Sequence, residues 1–349
     1  MGAYKQKGCY TMKKSLITLA LISAVSAPAF AIQNGSTLDW SKNDDMVKMN
    51  CSGTIISGKW VLTAAHCDKE ALQGATTVTG NVSVAKVYTH EDYITNGIDI
   101  ALWELVSKTN THNVKFLSMR NVEANERIKI TGFGAGNNTP QTNLAVAEQL
   151  STPQFVIDGA PHSKLELKFD NLGTTLPGDS GAPYTDANNL VIGVHYGGAF
   201  DAETGKQASG TRLYFARDFI LSTVNGWHYP TIANTPTSGG SVTIEVQSLY
   251  ADAFIDNATA SGDATITGGT CSGATVQPFD ICTYTVASNG YEGTVTLDGD
   301  QKITINKGRT KPVTPTPDPE TGSGGGGSLG FMSLIAALGL GLMRRKANG

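Results

Sequence analysis

The sequence predicts an all-β fold, and three observations carry that prediction. The 349 residues are only 16% charged and include 40 glycines. With abundant Thr, Val and Ser, that balance suits an exported β protein better than a helical one. Short β-prone runs, separated by Gly, Asn and Asp turns, recur from residue 32 to about residue 310. Two pairs of closely spaced cysteines, Cys51 with Cys67 and Cys271 with Cys282, fit local disulfides in an oxidising compartment. Zinc is the rival reading, but no CxxC and no second His/Cys pair accompanies them. The length exceeds one typical domain and predicts two folded units. A net charge of −4, without a basic stripe and interleaved aromatics, gives no reason to expect a nucleic-acid partner.

The elements follow in order. Residues 1–31 read as a leader. Within them 12-MKKSLITLALISAVSAPAFA-31 has two lysines, an apolar run and an Ala29-Phe30-Ala31 cleavage site for signal peptidase. About 15 apolar residues are short of the ~20 a membrane span needs. Met12 is the expected start, and Cys9 falls in the discarded part. Next come 53-GTIISGKWVLTA-64, 81-NVSVAKVY-88, 98-IDIALWEL-105, 127-RIKITGFG-134 and 190-LVIGVHYGG-198, spaced as in a barrel or sandwich, with Trp60 and Trp103 as core residues. One helix is expected over 216-ARDFILSTVNGW-227, its apolar face formed by Phe219, Ile220 and Val224 and its end set by Asn225-Gly226. The first domain is therefore placed at 32–232, followed by a linker at 233–240. Alternating Thr/Val-rich runs over 241–310 predict a small immunoglobulin-like β-sandwich. Residues 311–328 form a Pro-rich then Gly-rich tether. Residues 329–349 carry an apolar run ending in Arg344-Arg345-Lys346, whose basic cluster should stay cytoplasmic. Two readings stand for this end, a plain transmembrane anchor or a sorting signal. It resembles the Gly-Gly sorting tails of Gram-negative secreted proteins, which a rhomboid-type protease (rhombosortase) cuts, sending the protein to the surface or medium.

The chemistry lies in 60-WVLTAAHCD-68, 96-NGIDIALWEL-105 and 177-PGDSGAP-183. Acyl transfer needs a nucleophile, a base to take its proton and an acid to orient the base. Ser180, His66 and Asp99 supply these groups. Asp99, between Ile98 and Ile100, can be shielded and aimed at His66, whereas Asp92 lacks apolar flanks. Gly178 and Gly181 let the chain turn so that the amides of Gly178 and Ser180 converge on one spot, an oxyanion hole. Cys67 follows His66 and can staple its strand to Cys51. Together these segments resemble the trypsin/chymotrypsin family, in its His, Asp, Ser chain order, over residues 32–228. The resemblance implies a double β-barrel and a serine endopeptidase acting on protein or peptide substrates. It also implies that a new N-terminus at Ile32, freed by signal peptidase, pairs its ammonium with Asp179 and orders the oxyanion loop. A protease-fold binding or adhesion protein without activity is the alternative. No cofactor or metal motif is visible.

Specificity is less explicit. Thr174 stands where trypsin-like enzymes carry the Asp that binds Arg or Lys, so cleavage after basic residues is not implied, and the family's cysteine near Leu176 is missing. His195, fifteen positions after Ser180, and Thr175, five before it, resemble the glutamyl endopeptidases and imply an acidic P1 residue. An imidazole and a hydroxyl suit a carboxylate. Against this, Asp179 departs from the bacterial glutamyl enzymes, and His195 has a bland reading as a packed strand residue. His90, His112, His162 and His228 show no partners and are expected at the surface or in turns.

Overall fold

The computed structural model describes residues 2, 32, 35–134, 144–151, 156–157, 160–168, 173–201 and 205–312. The expected signal peptide, the tether from residue 313 onward and the C-terminal sorting segment lie outside the described residues. Among those described, no helix is long and apolar enough to cross a membrane.

The fold is all-β. Its first sheet runs in the order Gly80–Val82, Ala75–Thr77, Met46–Lys48, Ser52–Ile56, Trp60–Thr63, Ala101–Leu105, Val84–Thr89. The two end strands are one run of chain bent at Ser83, so the sheet returns on itself as a barrel. Trp60 and Trp103 are buried in its core as expected, with Ile55, Val61, Leu62 and Leu102 fully buried beside them. The run expected at 53–64 is two strands, because Ser57 (φ 51°) and Gly58 (φ 73°) turn the chain through the left-handed region.

A second sheet closes by hydrogen bonding. Arg127–Gly132 pairs with Leu144–Ser151, which leads through Lys164–Lys168, Gly205–Arg212, Val191–Asp201 and Pro183–Thr185 back to Arg127–Gly132. Ser36–Leu38 adds outside this ring against Leu144–Ser151. Closure removes free edges, which is how antiparallel barrels avoid exposing unpaired backbone. Ile128, Ile130, Leu165, Leu167, Tyr184 and Ile192 fill the barrel, and Ile32 is buried with them.

Beyond the barrels, two four-stranded sheets share one core around Trp227, Tyr284 and Val286 and form a β-sandwich. One sheet orders Gly226–His228, Gly240–Leu249, Ile281–Ser288, Thr265–Gly268; the other orders Ile232–Ala233, Gln301–Ile305, Gly293–Asp298, Thr259–Gly262. Cys271–Cys282 closes a disulfide within it. Barrels and sandwich belong to one compact unit that ends at Thr310.

Several expectations need revision. Gly226–His228 and Ile232–Ala233 are strands of the sandwich, so its sheets begin upstream of the composition-based boundary, and Gly240 already starts a strand. The helix is Arg217–Val224, preceded by a 3-10 turn at Leu213–Ala216. Ile220 and Leu221 are its buried residues, with Phe219 and Val224 only half-buried, and Asn225 stops it in the left-handed region. Trp227 leaves the helix for a strand. His90 and His228 are buried rather than superficial, at 7% and 0% exposure. His90 packs beside Phe219. His112 is half-exposed and clasped by Asp44 through its backbone N–H and Nδ1, while His162 accepts from the Lys164 N–H in the link between two strands.

Candidate active site

His66 is delivered by the strand Trp60–Thr63 and sits in the first turn of the 3-10 helix Ala65–Gln73. The Cys51–Cys67 disulfide ties that turn to the neighbouring strand. Asp99 comes just before the strand Ala101–Leu105, which pairs with the His66 strand through Thr63↔Ala101. The carboxylate lies inside, with its side chain 3% exposed against 32% for His66. Its Oδ2 is 2.6 Å from His66 Nδ1, and its Oδ1 accepts the His66 backbone N–H at 2.9 Å. Two bonds to one residue fix both the position and the tautomer of the ring, leaving Nε2 facing outward. Asp92 is elsewhere: it accepts from Thr95 Oγ1 and Asn96 Nδ2 at the start of the short helix Tyr93–Asn96.

Ser180 lies in the turn that enters Pro183–Thr185, in the second barrel. The turn is pinned to the first barrel. Ser52 N–H donates to Ser180 O at 2.7 Å, and Ser52 Oγ donates to Gly178 O at 2.9 Å. Gly181 adopts φ +84°, and a Cβ there would run into Thr63 Oγ1 and Ser52 O. Only glycine permits this approach of the two barrels. The N–H groups of Asp179, Gly181 and Ala182 all donate to carbonyls. Those of Gly178 and Ser180 have no partner among the described residues, so two donors stay open beside the Ser180 hydroxyl. Ser180 Oγ lies 3.5 Å from Tyr196 O, and the Tyr196 ring meets the His66 ring edge-on at 5.8 Å. Tyr196 thus brings serine and histidine to one place. No hydrogen bond joins Ser180 to His66 among the described residues; such contacts commonly tighten only with substrate bound.

Asp179 is fully buried behind this turn. Its carboxylate accepts from Gly134 N–H at 2.7 Å and Leu176 N–H at 2.8 Å. A Cβ at Gly132 would collide with its Oδ1, so that glycine makes the space. Burial outweighs the two hydrogen bonds and pushes its pKa up to about 7. Ile32 is buried in the same barrel, its carbonyl accepting from Gly35 N–H at 2.8 Å, with no bond to Asp179. In the uncleaved chain its nitrogen is an amide, which carries no charge to offer.

His195, on the strand Val191–Asp201, is 1% exposed. Its Nδ1 is 2.7 Å from the hydroxyl of Tyr184, itself fully buried. Burial first, then the nearby His66, pushes the His195 pKa down to about 3, so the ring is neutral at pH 7. It is therefore no cation for a carboxylate. If the tyrosine hydroxyl donates to Nδ1, Nε2–H is left as a neutral donor. Thr174 and Thr175 lie half-buried in the run before the Ser180 turn.

Sequence reasoning missed Tyr184, Tyr196 and Asp68. Tyr184 stands four residues after Ser180 and Tyr196 directly follows His195. Both spacings were readable, but their meaning depends on strand pairing. Asp68 accepts from Trp103 Nε1 at 3.2 Å and from Thr89 Oγ1, and burial with the neighbouring Asp99 raises its pKa. Cys51, Cys67 and His66 lie close together, but the disulfide leaves no thiolate to hold a metal.

Comparison with known proteins identifies the family of the chain. An uncharacterized peptidase of Corynebacterium glutamicum (strain R) is 26% identical over an alignment of 191 residues that covers 49% of this chain and 66% of that one. Among solved structures, the VesB protease of Vibrio cholerae aligns at a TM-score of 0.43 and 19% identity, over 78% of this chain and 98% of its own. Neuropsin, a serine protease expressed in the limbic system of mouse brain, aligns at 0.46 and 19% identity, over 55% of this chain and 100% of its own. The family model described as trypsin matches residues 30–220, more than half of the sequence, and the chain belongs to the trypsin family.

Proposed function

We propose that this protein is an exported serine endopeptidase, with Ser180 as nucleophile, His66 as general base and Asp99 as the acid that orients it. The observation that carries this is the Asp99 carboxylate, buried and bonded to both Nδ1 and the backbone N–H of His66, beside a serine flanked by two open amides. In the proposed reaction His66 Nε2 takes the Ser180 proton as Oγ attacks the scissile carbonyl. The oxyanion receives hydrogen bonds from the amides of Gly178 and Ser180, where losing one donor costs roughly 2.7–4 kcal/mol. The imidazolium, steadied by Asp99, then gives its proton to the leaving amine, and water repeats the sequence on the acyl-enzyme.

Three finer readings belong to the proposal. Signal peptidase cleavage after Ala31 would free Ile32, whose ammonium would pair with Asp179; the raised pKa of that buried carboxyl supports the need for a cation. Acidic P1 residues would be held by His195 Nε2–H and Thr175, supported by the Tyr184 hydroxyl on His195 Nδ1. The leader and C-terminal segment would carry the protein through the inner membrane, tether it transiently and yield it to a rhomboid-type sorting protease, for the surface or medium of a Gram-negative cell.

The test compares purified secreted protein with its Ser180→Ala variant on peptides varied at P1, with products read by mass spectrometry. Cleavage after Glu or Asp, absent in the variant, is expected. Cleavage after other residues would retain the triad and remove His195 and Thr175 from specificity. No cleavage by a protein beginning at Ile32 would overturn the enzyme reading in favour of a binding module.

A further inference from the structure

The strand that carries His195 and Tyr196 begins at Val191, and its start is held by the connector between the barrels, residues 106–126. Val191 N–H donates to Phe116 O, and Ser118 N–H donates to Val191 O, both at 2.8 Å. On its other side the connector is held by the sandwich. Gln247, fully buried, accepts the Leu117 N–H through Oε1 at 2.9 Å and returns a bond from Nε2 to Leu117 O at 2.7 Å. The same Nε2 donates to Phe279 O at 3.1 Å, within the sandwich. One amide side chain thus replaces a missing β-ladder partner for Leu117.

The clamp extends along the connector. His228 accepts the Ser57 N–H at Nδ1 (3.1 Å) and donates from Nε2 to Lys115 O (3.0 Å). Thr231 Oγ1 donates to Thr109 O at 2.7 Å and accepts the Thr111 N–H at 2.8 Å. Leu249, the last residue of the Gln247 strand, is buried in the cluster that also holds first-barrel core residues, Val191 and the helix residues Ile220 and Leu221. A mere appendage would not bury a glutamine, a histidine and a threonine against the connector, because each needs its partners to repay desolvation.

We infer that the C-terminal sandwich is a built-in brace of the catalytic unit, with Gln247 as a positioning residue that acts through Leu117 on the Val191–Asp201 strand. That strand presents Tyr196 O to Ser180 and fixes the Ser180 turn, through Gly181 N–H on His195 O and His195 N–H on Ala182 O, each at 2.8 Å. A displacement at Val191 therefore reaches the reacting serine along one continuous strand. This inference rests on the proposed protease activity.

The experiment uses the full chain with Gln247→Leu, which keeps the bulk and removes all three bonds. Ile303→Val, in the sandwich core away from the connector, serves as a control for lost stability. Active sites are titrated with a fluorophosphonate, and kcat and KM are expressed per titrated site at a temperature where each variant is folded. Gln247→Leu is expected to lower kcat/KM per site about tenfold, as small misplacements of reacting groups do, with Ile303→Val within twofold of the parent. Equal per-site rates in both variants would overturn the inference, because a purely structural role changes only the number of sites. If Gln247→Leu does not fold, hydrogen exchange of the parent replaces it. Acylating Ser180 should slow exchange in peptides covering 242–249, and an effect confined to the Ser180 turn refutes the brace. A parent that is not labelled and cuts nothing would instead refute the protease reading itself.

Discussion

Adding one residue before Ile32 tests how the oxyanion turn is ordered. In a chain extended by Ala31, Asp179 stays buried without a cation, and its pKa lies near 7 against an ordinary 3.8. The native state then holds a proton that the unfolded chain releases, so stability falls as pH rises from about 4 to about 7. The gap of about 3 pKa units, at ~1.4 kcal/mol each, amounts to about 4 kcal/mol once both states are deprotonated. In a chain that begins at Ile32, the ammonium proposed to pair with Asp179 would keep the carboxylate charged in the native state. Its contribution is present above the ordinary carboxyl pKa and fades only as pH passes the folded α-amino pKa, above ~8. The two forms should therefore diverge between pH 5 and pH 7.5. Urea midpoints of both, each carrying Ser180→Ala to prevent self-digestion, are expected to show a loss of roughly 2–3 kcal/mol in the extended form over that range and little change in the other. With Ser180 intact, the extended form should acylate far more slowly. Parallel pH curves for the two forms would refute the reasoning.

Three other changes probe the site. Gly181→Ala places a Cβ against Thr63 Oγ1 and Ser52 O at φ +84°, and is expected to abolish fluorophosphonate labelling even in whatever fraction folds, as measured by circular dichroism. Replacing both Cys51 and Cys67 by Ser opens a loop with a sequence separation of 16. This should cost about 3 kcal/mol in denaturant unfolding, and dithiothreitol should reproduce the loss in the parent. Tyr184→Phe removes the hydroxyl from His195 Nδ1. It should lower the kcat/KM ratio of Glu over neutral P1 substrates about tenfold, or ~1.4 kcal/mol, while leaving hydrolysis of the neutral substrate nearly unchanged.

The barrels were legible because their signals are local. A buried strand such as Trp60–Thr63 is apolar on both faces, and a glycine beside a nucleophile says that the backbone must approach something closely. His66, Asp99 and Ser180 could be proposed together from sequence, since each sits in a short motif whose residue types suit one chemistry; the structure adds the two bonds from His66 to Asp99. The environment of His195 could not be read there. A histidine in a strand carries no mark of whether its ring will be neutral or charged; here burial and the nearby His66 keep it neutral, and Tyr184, reached through the pairing of Pro183–Thr185 with Val191–Asp201, occupies its Nδ1. Likewise, nothing in the residues around Asp179 shows that its carboxylate is fully buried.

The boundary between protease and sandwich illustrates a different limit. Composition places a break after residue 232, where Pro, Ser and Gly accumulate, and reads the run that begins at Ser241 as ordinary alternation. Alternation does hold at Ile244 and Val246, with Glu245 exposed between them. It fails from Gln247 onward, where Gln247, Ser248 and Leu249 are all buried. By period alone Gln247 belongs on the solvent face. It is inside because a second body, the barrel connector, covers that face and offers Leu117 N–H and O to both ends of its amide. His228 is the same case, a polar ring whose two partners, Ser57 N–H and Lys115 O, come from segments 171 and 113 residues away. Sequence pattern measures how well a segment suits its own sheet; it is silent on surfaces where two sheets meet through polar groups. The break in alternation at Gln247 is the trace such a surface leaves. It reads as a flaw in a strand until the connector supplies its partners.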